Sequence, residues 1–346
     1  MITFKQYSEQ TKDEWDLFAK IHPSTWIDSQ SHWIDFFEKN FKYKNYSFMV
    51  YEDNALRGIM SLFLVKSIFF GRRLISGPII DMGGPFLDHT EEKTLNDIVG
   101  YIDAIALKEN VNFAELRCSP MHLPSFTAKD EYTDFYMDIN IKTEDIWKNL
   151  DKKLRNGIRK AEKVIIVKKD SSYEALTKFY ELYLITMRSL GSPPLSFDYF
   201  KEMFIDMKNK GFFLFAEYNG EIICAILILI FKDRAKYEAG AYMPRYRDLQ
   251  ANSLLVFKAI EEAKFKKCKE FIFGRTLKDD TVYRYKQRWG AKESPYTFYY
   301  KLYDKKNIPP DIRKSLIAPI ATTIWGIMPL WISKRIGNYF RKIIAM

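Results

Sequence analysis

Cysteine and histidine are scarce in this sequence of 346 residues, which contains three cysteines and four histidines. The cysteines stand far apart without paired spacing, which argues against a disulfide framework and predicts reduced core residues in a cytoplasmic protein. The histidines lack the short spacings of metal ligands, so we predict no metal site. The residues concerned are Cys118, Cys224, Cys268, His22, His32, His89 and His122.

The sequence also lacks a long uninterrupted apolar run. Its first residues are polar and charged, so we expect no signal peptide. A mostly apolar stretch, Leu316 to Ile332, contains two prolines and is short and broken for a transmembrane helix, which needs about 20 residues. Its tryptophans and the basic residues after it fit a segment in the membrane interface. The alternative is an arm packed on the protein's own surface.

Positive charge and aromatic residues, by contrast, are abundant. The net charge of +10 favours anionic partners such as nucleic acid, phosphates or a membrane surface. A hydrophobic content of 47% with 16% aromatic residues is enough for sizeable cores. The length suits two domains of about 150 residues each.

One order of elements occurs twice along the chain, at an offset of about 165 residues. Each copy reads as a hairpin, a strand, a helix and a further strand. The first copy contains the long hairpin strand Leu56–Val65 and the amphipathic helix Glu91–Glu109. The second contains the hairpin strand Ile222–Phe231 and the helix Asn252–Lys267. We therefore predict two copies of one α/β domain.

The segment between the copies, residues 147–163, is rich in lysine and arginine. Apolar residues at 150, 154 and 158 form one helical stripe, so the basic residues cover the other faces. Because like charges on one helix repel, binding of an anion would explain the cluster, and a solvated face is the alternative. The predicted domains are residues 1–145 and 146–305, followed by an amphipathic, basic tail at 306–346.

Residues 271–300 are the stretch around which the chain is organised. Two apolar, aromatic-rich runs predict strands, and basic residues alternate with aromatic ones between them. Arg275 follows Gly274, a residue type that permits a sharp turn, and Lys286 stands between Tyr285 and Trp289. This pattern fits a pocket for an anionic or sugar-like group. The alternative is a surface β-excursion with solvated lysines.

The order of these residues resembles the C-terminal signature of FemAB/FemX-like proteins. It consists of Phe-Gly-Arg-Thr at 273–276, Tyr-Arg-Tyr-Lys-Gln-Arg-Trp-Gly-Ala at 283–291 and then a tyrosine-rich strand. Leu-Arg-x-x-Ile-Arg-Lys-Ala at 154–161 also resembles a recurring element of that family. These are GNAT-fold transferases, many of them linked to cell-envelope and exopolysaccharide synthesis. The resemblance implies an α/β (α+β) fold of two tandem GNAT (acyl-CoA N-acyltransferase-like) domains with mixed central sheets.

The resemblance also implies where a donor would bind. In the GNAT fold an acyl donor lies in a splay between two central strands, and an amine attacks its carbonyl directly. The donor phosphates rest on a loop and helix N-terminus, here Met243–Asn252, with Arg245, Arg247, Asn252 and Ser253 as donor-binding residues. This loop lacks the glycines usual for coenzyme A, and FemX-like enzymes use aminoacyl-tRNA. Acyl-CoA and aminoacyl-tRNA therefore both remain open as donor substrates, without a permanently bound cofactor.

For catalysis the resemblance nominates Lys286, whose ammonium would offset the oxyanion formed by amine attack. Glu238 and Tyr242, on the strand before the phosphate loop, are candidates to relay the amine's proton. A packing role is the alternative for each. No Ser/His/Asp or Cys/His set is placed for covalent catalysis, which favours direct transfer. The predicted substrate-binding residues are Trp26, Arg155, Arg159, Arg188, Arg275, Tyr283 and Tyr285.

The predicted function is transfer of an acyl or aminoacyl group to an amine of a cell-envelope precursor. That amine would belong to a peptidoglycan stem peptide or to an amino sugar of a polysaccharide, on a nucleotide- or lipid-linked molecule. The alternative is a non-catalytic GNAT-pair scaffold that binds RNA or anionic lipid. We expect a cytoplasmic protein, with tRNA and the cytoplasmic membrane face as further candidate partners.

Overall fold

The structure, a computed structural model, describes residues 1–67, 70–207, 211–278, 280–304 and 318–344. Its strands are β1 (Ile2–Gln6), β2 (Lys44–Asn45), β3 (Phe48–Glu52), β4 (Ala55–Met60), β5 (Leu62–Ser67), β6 (Gly71–Ser76), β7 (Phe86–Leu87), β8 (Phe113–Cys118), β9 (Thr127–Asp138), β10 (Ile166–Asp170), β11 (Phe212–Tyr218), β12 (Glu221–Phe231), β13 (Arg234–Tyr242), β14 (Glu270–Leu277) and β15 (Lys292–Leu302). Its α-helices are α1 (Lys12–Ile21), α2 (Ser31–Phe36), α3 (Glu92–Lys108), α4 (Thr143–Asn149), α5 (Lys152–Glu162), α6 (Tyr173–Ser189), α7 (Phe197–Met207), α8 (Ala251–Phe265), α9 (Thr281–Gln287), α10 (Ala318–Ile327) and α11 (Leu330–Ile344).

The chain divides into two compact units. The described residues of 1–132, 295–304 and 341–344 form the first unit, and those of 133–294 and 318–340 form the second. The boundaries predicted from the sequence lie elsewhere, at 145/146 and 305/306. One reason is that β15 pairs with β8 from Thr297 opposite Cys118 onwards, which brings the chain back to the first unit before residue 305. The tail between residues 306 and 317 lies outside the described residues.

In the first unit, strands β1, β3, β4 and β7 form one antiparallel sheet. Strands β15, β8, β6, β5 and β2 lie side by side in a mixed sheet, in which β6 and β8 are parallel. The apolar stripe of α3, including Ile98 and Ile102, packs with sheet residues such as Phe48, Leu62 and Leu74 in one buried core. This face is the one that the helical periodicity of α3 predicts.

The predicted hairpin strand Leu56–Val65 is wrong as one strand. It is divided at Ser61 into β4 and β5, which pair with different strands. The Ser61 N–H donates to the carbonyl oxygen of Gly83 at 2.9 Å, so the backbone leaves one sheet where this glycine approaches it. Apolar residues on both sides of the break conceal it in the sequence.

In the second unit, β10, β11, β12, β13 and β14 follow one another in a mixed sheet. The β11–β12 hairpin turns at Asn219 and Gly220, whose φ angles of +50° and +78° are those that such tight turns require. Helix α8 connects β13 to its parallel neighbour β14, and its apolar residues, including Leu254 and Ile260, pack in the unit's core. Both units therefore contain a hairpin, then a strand, a helix and a parallel strand, as the repeat predicts.

The basic segment 147–163 is not one helix. It is interrupted after Asn149, and α5 begins anew with Asp151 as its N-cap, whose carboxylate accepts the N–H groups of Lys153 and Leu154 at 2.9 and 3.2 Å. An aspartate at this position satisfies amide donors that a helix start leaves unpaired. The predicted stripe of Leu150, Leu154 and Ile158 is nonetheless buried.

Candidate functional site

The feature that organises the second unit is a gap between β13 and β14. The two parallel strands pair in register at three positions, the last of which places Lys236 opposite Ile272. Strand β13 then continues to Tyr242 and β14 to Leu277. Beyond the three paired positions the two strands are no longer paired in register, and this unpaired stretch is the gap.

A β-bulge in β13 lies where this unpaired stretch begins. On the neighbouring strand, Leu227 faces Ala239 and Ile228 faces Tyr237, so the ladder passes over Glu238. An extra residue of this kind bends its strand and increases the local twist, which re-aims side chains. The bulge explains why β13 stops following β14 at this point.

Lys286 is the buried cation at the β14 side of the gap. It lies on α9, where the Asp280 carboxylate caps the first turn by accepting the N–H of Thr281 at 2.5 Å. Its Nζ donates to the carbonyl oxygens of Gly274 at 2.5 Å and Arg275 at 3.2 Å, and the residue is 6% exposed. A helix therefore replaces the surface β-excursion that the sequence left open, and its lysine is not solvated.

A second buried lysine lies on the β13 side. Lys236 Nζ is 3.2 Å from Glu238 Oε2, with side chains 7% and 14% exposed. A Cβ atom placed on Gly274 would lie 3.9 Å from Lys236 Cε, so this pair borders the same glycine whose carbonyl binds Lys286. The φ of +80° at Gly274 favours glycine at this position. Gly274 therefore contacts the Lys286 ammonium through its carbonyl oxygen and lies beside the Lys236 side chain.

Two tyrosines form a polar cluster with the first turn of α8. Tyr237 Oη donates to Asn252 Oδ1 at 3.2 Å, and Asn252 Nδ2 donates to Tyr285 Oη at 3.2 Å. Ser253 Oγ lies 3.3 Å from Tyr285 Oη. Burial raises the pKa of both tyrosines, so their hydroxyls stay protonated and serve as hydrogen-bonding groups rather than bases.

The four predicted donor-binding residues separate into two groups. Asn252 and Ser253 bind the tyrosine cluster just described. Arg245 is exposed and forms a salt bridge with Glu221. Arg247 is also exposed and lies in the same short helical turn before α8. Only the arginines therefore present side chains at the surface near the start of α8.

Helix α5 packs beside the start of α8. A Cβ atom on Gly157 would lie 3.3 Å from Cγ of Gln250, the residue that precedes α8. Lys153 and Lys160 lie about one turn before and after Gly157 and are exposed. The N-terminal end of a helix attracts anions, so the basic residues of α5 reinforce the positive potential there.

Tyr242 is held through its backbone at the far end of β13. Its N–H donates to Thr186 Oγ1 at 2.7 Å, and its carbonyl oxygen accepts from the same hydroxyl at 2.9 Å. Its ring packs against the core of the second unit. Helix α6, through Thr186, therefore fixes the backbone of β13 at this end of the gap.

The two arginines of α5 that were predicted to bind substrate have local partners. Arg155 Nη1 donates to the carbonyl oxygens of Trp147 at 3.4 Å and Lys148 at 2.8 Å, so it caps the end of α4. The Arg159 guanidinium lies 5.3 Å from the centre of the Trp147 ring, which meets Phe257 edge to face. Trp147, Arg159 and Phe257 line an open cleft of about 420 Å³ on the second unit.

The other predicted substrate-binding residues lie on separate elements. Tyr283 Oη donates to Glu293 Oε1 at 2.6 Å, whereas Tyr285 belongs to the polar cluster. Arg188 is in the last turn of α6, and Arg275 is on β14 beside the Lys286 contact. The predicted residues of the second unit therefore come from α5, α6, β14 and α9. Trp26 belongs to the first unit.

Sequence reasoning missed three contributors to the gap: Lys236, Tyr237 and Thr186. The sequence did contain a signal for Lys236. On a strand with apolar neighbours, a lysine two residues before Glu238 lies on the same face as that glutamate and is expected to pair with it. The contacts of Tyr237 and Thr186 depend on distant residues and leave no local pattern. In the part of the chain that the structure describes, no group of three His, Cys, Asp or Glu is placed to hold a metal ion.

A gap between two central parallel strands, with a helix connecting them, is the donor-binding architecture of GNAT-fold acyltransferases. Residues 148–287 match the family model described as an acetyltransferase (GNAT) domain. This match lies within the second unit and covers less than half of the chain.

Comparison with solved structures supports the same fold for the whole chain. FemX is 14% identical, with a TM-score of 0.67 over 87% of this chain and 98% of its own. A tandem GNAT protein from the clavulanic acid biosynthesis pathway is 9% identical, with a TM-score of 0.54 over 89% and 100%. The C-terminal domain of a putative lysylphosphatidylglycerol synthetase from Agrobacterium fabrum is 12% identical, with a TM-score of 0.50 over 77% and 87%.

The predicted fold class, a tandem GNAT pair with mixed sheets, is confirmed by these comparisons. Identities below 15% describe the fold and leave the substrate to be argued from the site. A search among curated protein sequences found no match.

Proposed function

We propose that this protein transfers an acyl or aminoacyl group to an amine of a cell-envelope precursor, by direct attack in the gap between β13 and β14. The observation that carries the proposal is the buried ammonium of Lys286, held against β14 by two backbone carbonyls. A cation kept out of water interacts strongly with charge that develops beside it. A position between two separated strands is where the GNAT fold holds its donor carbonyl.

The chemistry requires one bond to form and one to break. The amine nitrogen attacks the donor carbonyl carbon, and the resulting oxyanion is stabilised by positive charge from Lys286. Collapse of this intermediate breaks the carbon–sulfur bond of a thioester or the carbon–oxygen bond of an ester. The amine's proton passes to the Glu238 carboxylate and is relayed through the Tyr242 hydroxyl to the leaving thiolate or alkoxide.

The proposed scheme also includes Lys236. Its contact with Glu238 at 3.2 Å holds the carboxylate at the bulge, so Lys236 is a positioning residue for the proposed proton acceptor. We propose that Arg188 and Arg275 bind the substrate. Arg155 and Arg159 contribute instead to the surface formed by α4 and α5. Either a peptidoglycan stem peptide or an amino sugar, as in exopolysaccharide synthesis, offers the required amine.

For the donor, both acyl-CoA and aminoacyl-tRNA fit the proposal. Either presents phosphates, for which the start of α8, Arg245, Arg247 and the basic face of α5 provide positive charge. Calorimetric titration with acetyl-CoA, charged tRNA and uncharged tRNA at two salt concentrations separates the donors. Binding of charged tRNA that weakens steeply with salt identifies an aminoacyl transferase. Binding of acetyl-CoA identifies an acyl-CoA-dependent enzyme.

The role of Lys286 is tested by Lys286→Met, which is unbranched and one atom shorter than lysine and removes the charge. We expect kcat to fall by more than about tenfold, because transition-state stabilisation is lost. Turnover is measured with the donor that binds in the titration. Lys278→Met is the matched control, since Lys278 is exposed in the turn after β14. An unchanged kcat in a folded Lys286→Met variant would contradict the proposal.

A non-catalytic scaffold is the second candidate. It is favoured by the engagement of Asn252 and Ser253 with the tyrosine cluster rather than with the surface beside α8. Such a protein would bind RNA or anionic lipid through its basic surfaces without turnover. Saturable turnover with an amine acceptor would exclude it, and the absence of binding to either donor would favour it.

A further inference from the structure

The C-terminal helices α10 and α11 fold as a hairpin on the second unit. Trp325 of α10 meets Phe340 of α11 edge to face, with ring centres 5.5 Å apart. Gly337 packs so closely on Pro194 that an added Cβ would lie 2.6 Å from its Cδ, and Lys334 Nζ lies 5.8 Å from the Tyr180 ring centre. One face of the hairpin is therefore firmly attached to the protein, and the other is turned away from it.

The outward face of α10 is apolar. Ile320, Ile324 and Ile327 recur at helical spacing and are 63%, 50% and 79% exposed. Trp331, at the start of α11, is 67% exposed, and Tyr339 is 63% exposed. Isolated apolar residues on a surface are ordinary, but a periodic stripe of them marks an interaction surface.

The outward face of α11 combines aromatic and basic residues. Trp331, Arg335 and Tyr339 recur every four residues, so they lie on one side of the helix, and all three are exposed. Tryptophan and tyrosine favour the headgroup level of a bilayer, where an apolar ring and a polar edge are both satisfied. An arginine between them reaches the phosphates of the same layer.

The charge of this region is entirely of one sign. Residues 312–346 contain six of the chain's 54 lysine and arginine residues and none of its 44 acidic residues. They thus account for six positive charges of the net +10. Basic segments beside apolar faces are attracted to anionic lipid.

We infer that the outward face of α10 and α11 docks on the surface of an anionic lipid bilayer. Among the described residues, no helix is long and apolar enough to cross a membrane, so the hairpin would lie in the interface. A second copy of the chain is a poorer occupant, because each copy would bring the same positive charges to the contact. This inference is independent of the proposed transfer chemistry.

Flotation of the full-length protein with vesicles tests the inference. Vesicles of phosphatidylcholine alone are compared with vesicles that contain phosphatidylglycerol, at low and high salt. We expect binding to the anionic vesicles at low salt and weaker binding at high salt, where surface charges are screened. Failure to bind anionic vesicles at low salt would overturn the inference.

Two variants assign the binding to this face. Ile327→Glu and Trp331→Glu change exposed side chains, so the fold should be retained, and each should lower the partition coefficient more than about tenfold. Phe265→Glu, at the end of α8, is the matched control, because Phe265 is 83% exposed outside the hairpin. Equal losses in all three variants would contradict the assignment. A chain whose mass in solution is that of a dimer, and whose variants become monomers without losing vesicle binding, would show that the face binds a second copy instead.

Discussion

At the scale of single residues, the main observation is that two lysines are buried beside the unpaired stretch of β13 and β14. Moving an ammonium group out of water costs on the order of several kcal/mol unless hydrogen bonds and opposite charge compensate it. Lys286 is compensated by two carbonyl oxygens, and Lys236 by Glu238. An apolar side chain would fill either space at lower cost. Their burial therefore supports the proposal that both lysines contribute to the transfer chemistry.

Gly240 permits the tyrosine cluster to form. A Cβ atom at this position would lie 1.8 Å from Tyr237 Oη, the hydroxyl that donates to Asn252. Gly240→Ala should therefore displace the ring and lower the free energy of unfolding by about 1–3 kcal/mol. The measurement is urea denaturation, combined with calorimetric titration of the donor.

Tyr237→Phe provides the matched background for that experiment, since it removes the hydroxyl that the new methyl group would meet first. The cost of Gly240→Ala should be smaller in the Tyr237→Phe protein than in the wild type, with a coupling of about 0.5–3 kcal/mol between the sites. Strictly additive costs would show that the two residues do not meet.

At the scale of elements, the sequence predicts those that depend on local pattern. The hairpin turn at Asn219 and Gly220 follows from its turn residues, and the apolar stripe of α3 follows from its helical period. The helix between β13 and β14 follows from its place in the repeat. The gap itself was predicted only through a family resemblance. Its location depends on the pairing of β13 with β14, which are separated by a whole helix.

Three features escaped prediction because they depend on distant contacts. The break at Ser61 is caused by the approach of Gly83, and α9 was not recognised because its residues favour no single structure locally. The contact of Lys286 with Gly274 joins a helix to a strand across a turn. A local pattern carries information about period and capping, but not about which carbonyl a long side chain will reach.

Glu109 ties the end of α3 to two strands of the first unit. Lys44 Nζ lies 2.8 Å from its Oε1, Arg72 Nη2 lies 2.8 Å from its Oε2, and Tyr46 Oη donates to Oε1 at 2.5 Å. The hydrogen bond from Lys44, followed by that from Tyr46, lowers the pKa of Glu109 to about 2 from 4.5. The charged form is therefore favoured in the folded state.

A lowered pKa means that this stabilisation is complete above about pH 4.5 and is lost as the pH falls towards about 2. Glu109→Gln should lower the free energy of unfolding at pH 7 by about 1–2 kcal/mol, a value reduced for the partial exposure of its partners. The difference from wild type should shrink between pH 4.5 and pH 3. Urea denaturation at pH 7 and pH 3 measures it, with the exposed Glu91→Gln at the other end of α3 as control. A difference that does not change with pH would contradict the argument.

At the scale of the whole molecule, the two units share an order of elements but differ at their parallel strands. In the first unit, β6 and β8 also pair at three positions, the last of which places Ile75 opposite Glu115. Beyond these paired positions, hydrogen bonds join the end of β8 to the residues around the end of β6. The Arg117 N–H donates to Ser76 Oγ at 2.7 Å, and the Arg117 carbonyl oxygen accepts from the Gly83 N–H at 3.1 Å. In the first unit, hydrogen bonds of Arg117 therefore bridge the position that corresponds to the gap.

The side chain of Arg117 completes that closure. It is 1% exposed, forms a salt bridge of 2.7 Å with Glu115, and donates to the carbonyl oxygens of Gly77 at 3.3 Å and Ile80 at 3.4 Å. Removing one partner of a buried ion pair costs about 3–5 kcal/mol, so this arrangement is not readily opened by a ligand. In the first unit, Arg117 therefore occupies the position that corresponds to the gap of the second unit.

A chain with one open gap should bind one donor molecule. Calorimetric titration to saturation, with the donor identified as binding, should end at one equivalent per chain and show a single class of site. Two equivalents per chain, or two classes of site, would mean that the first unit also binds the donor despite the Arg117 closure.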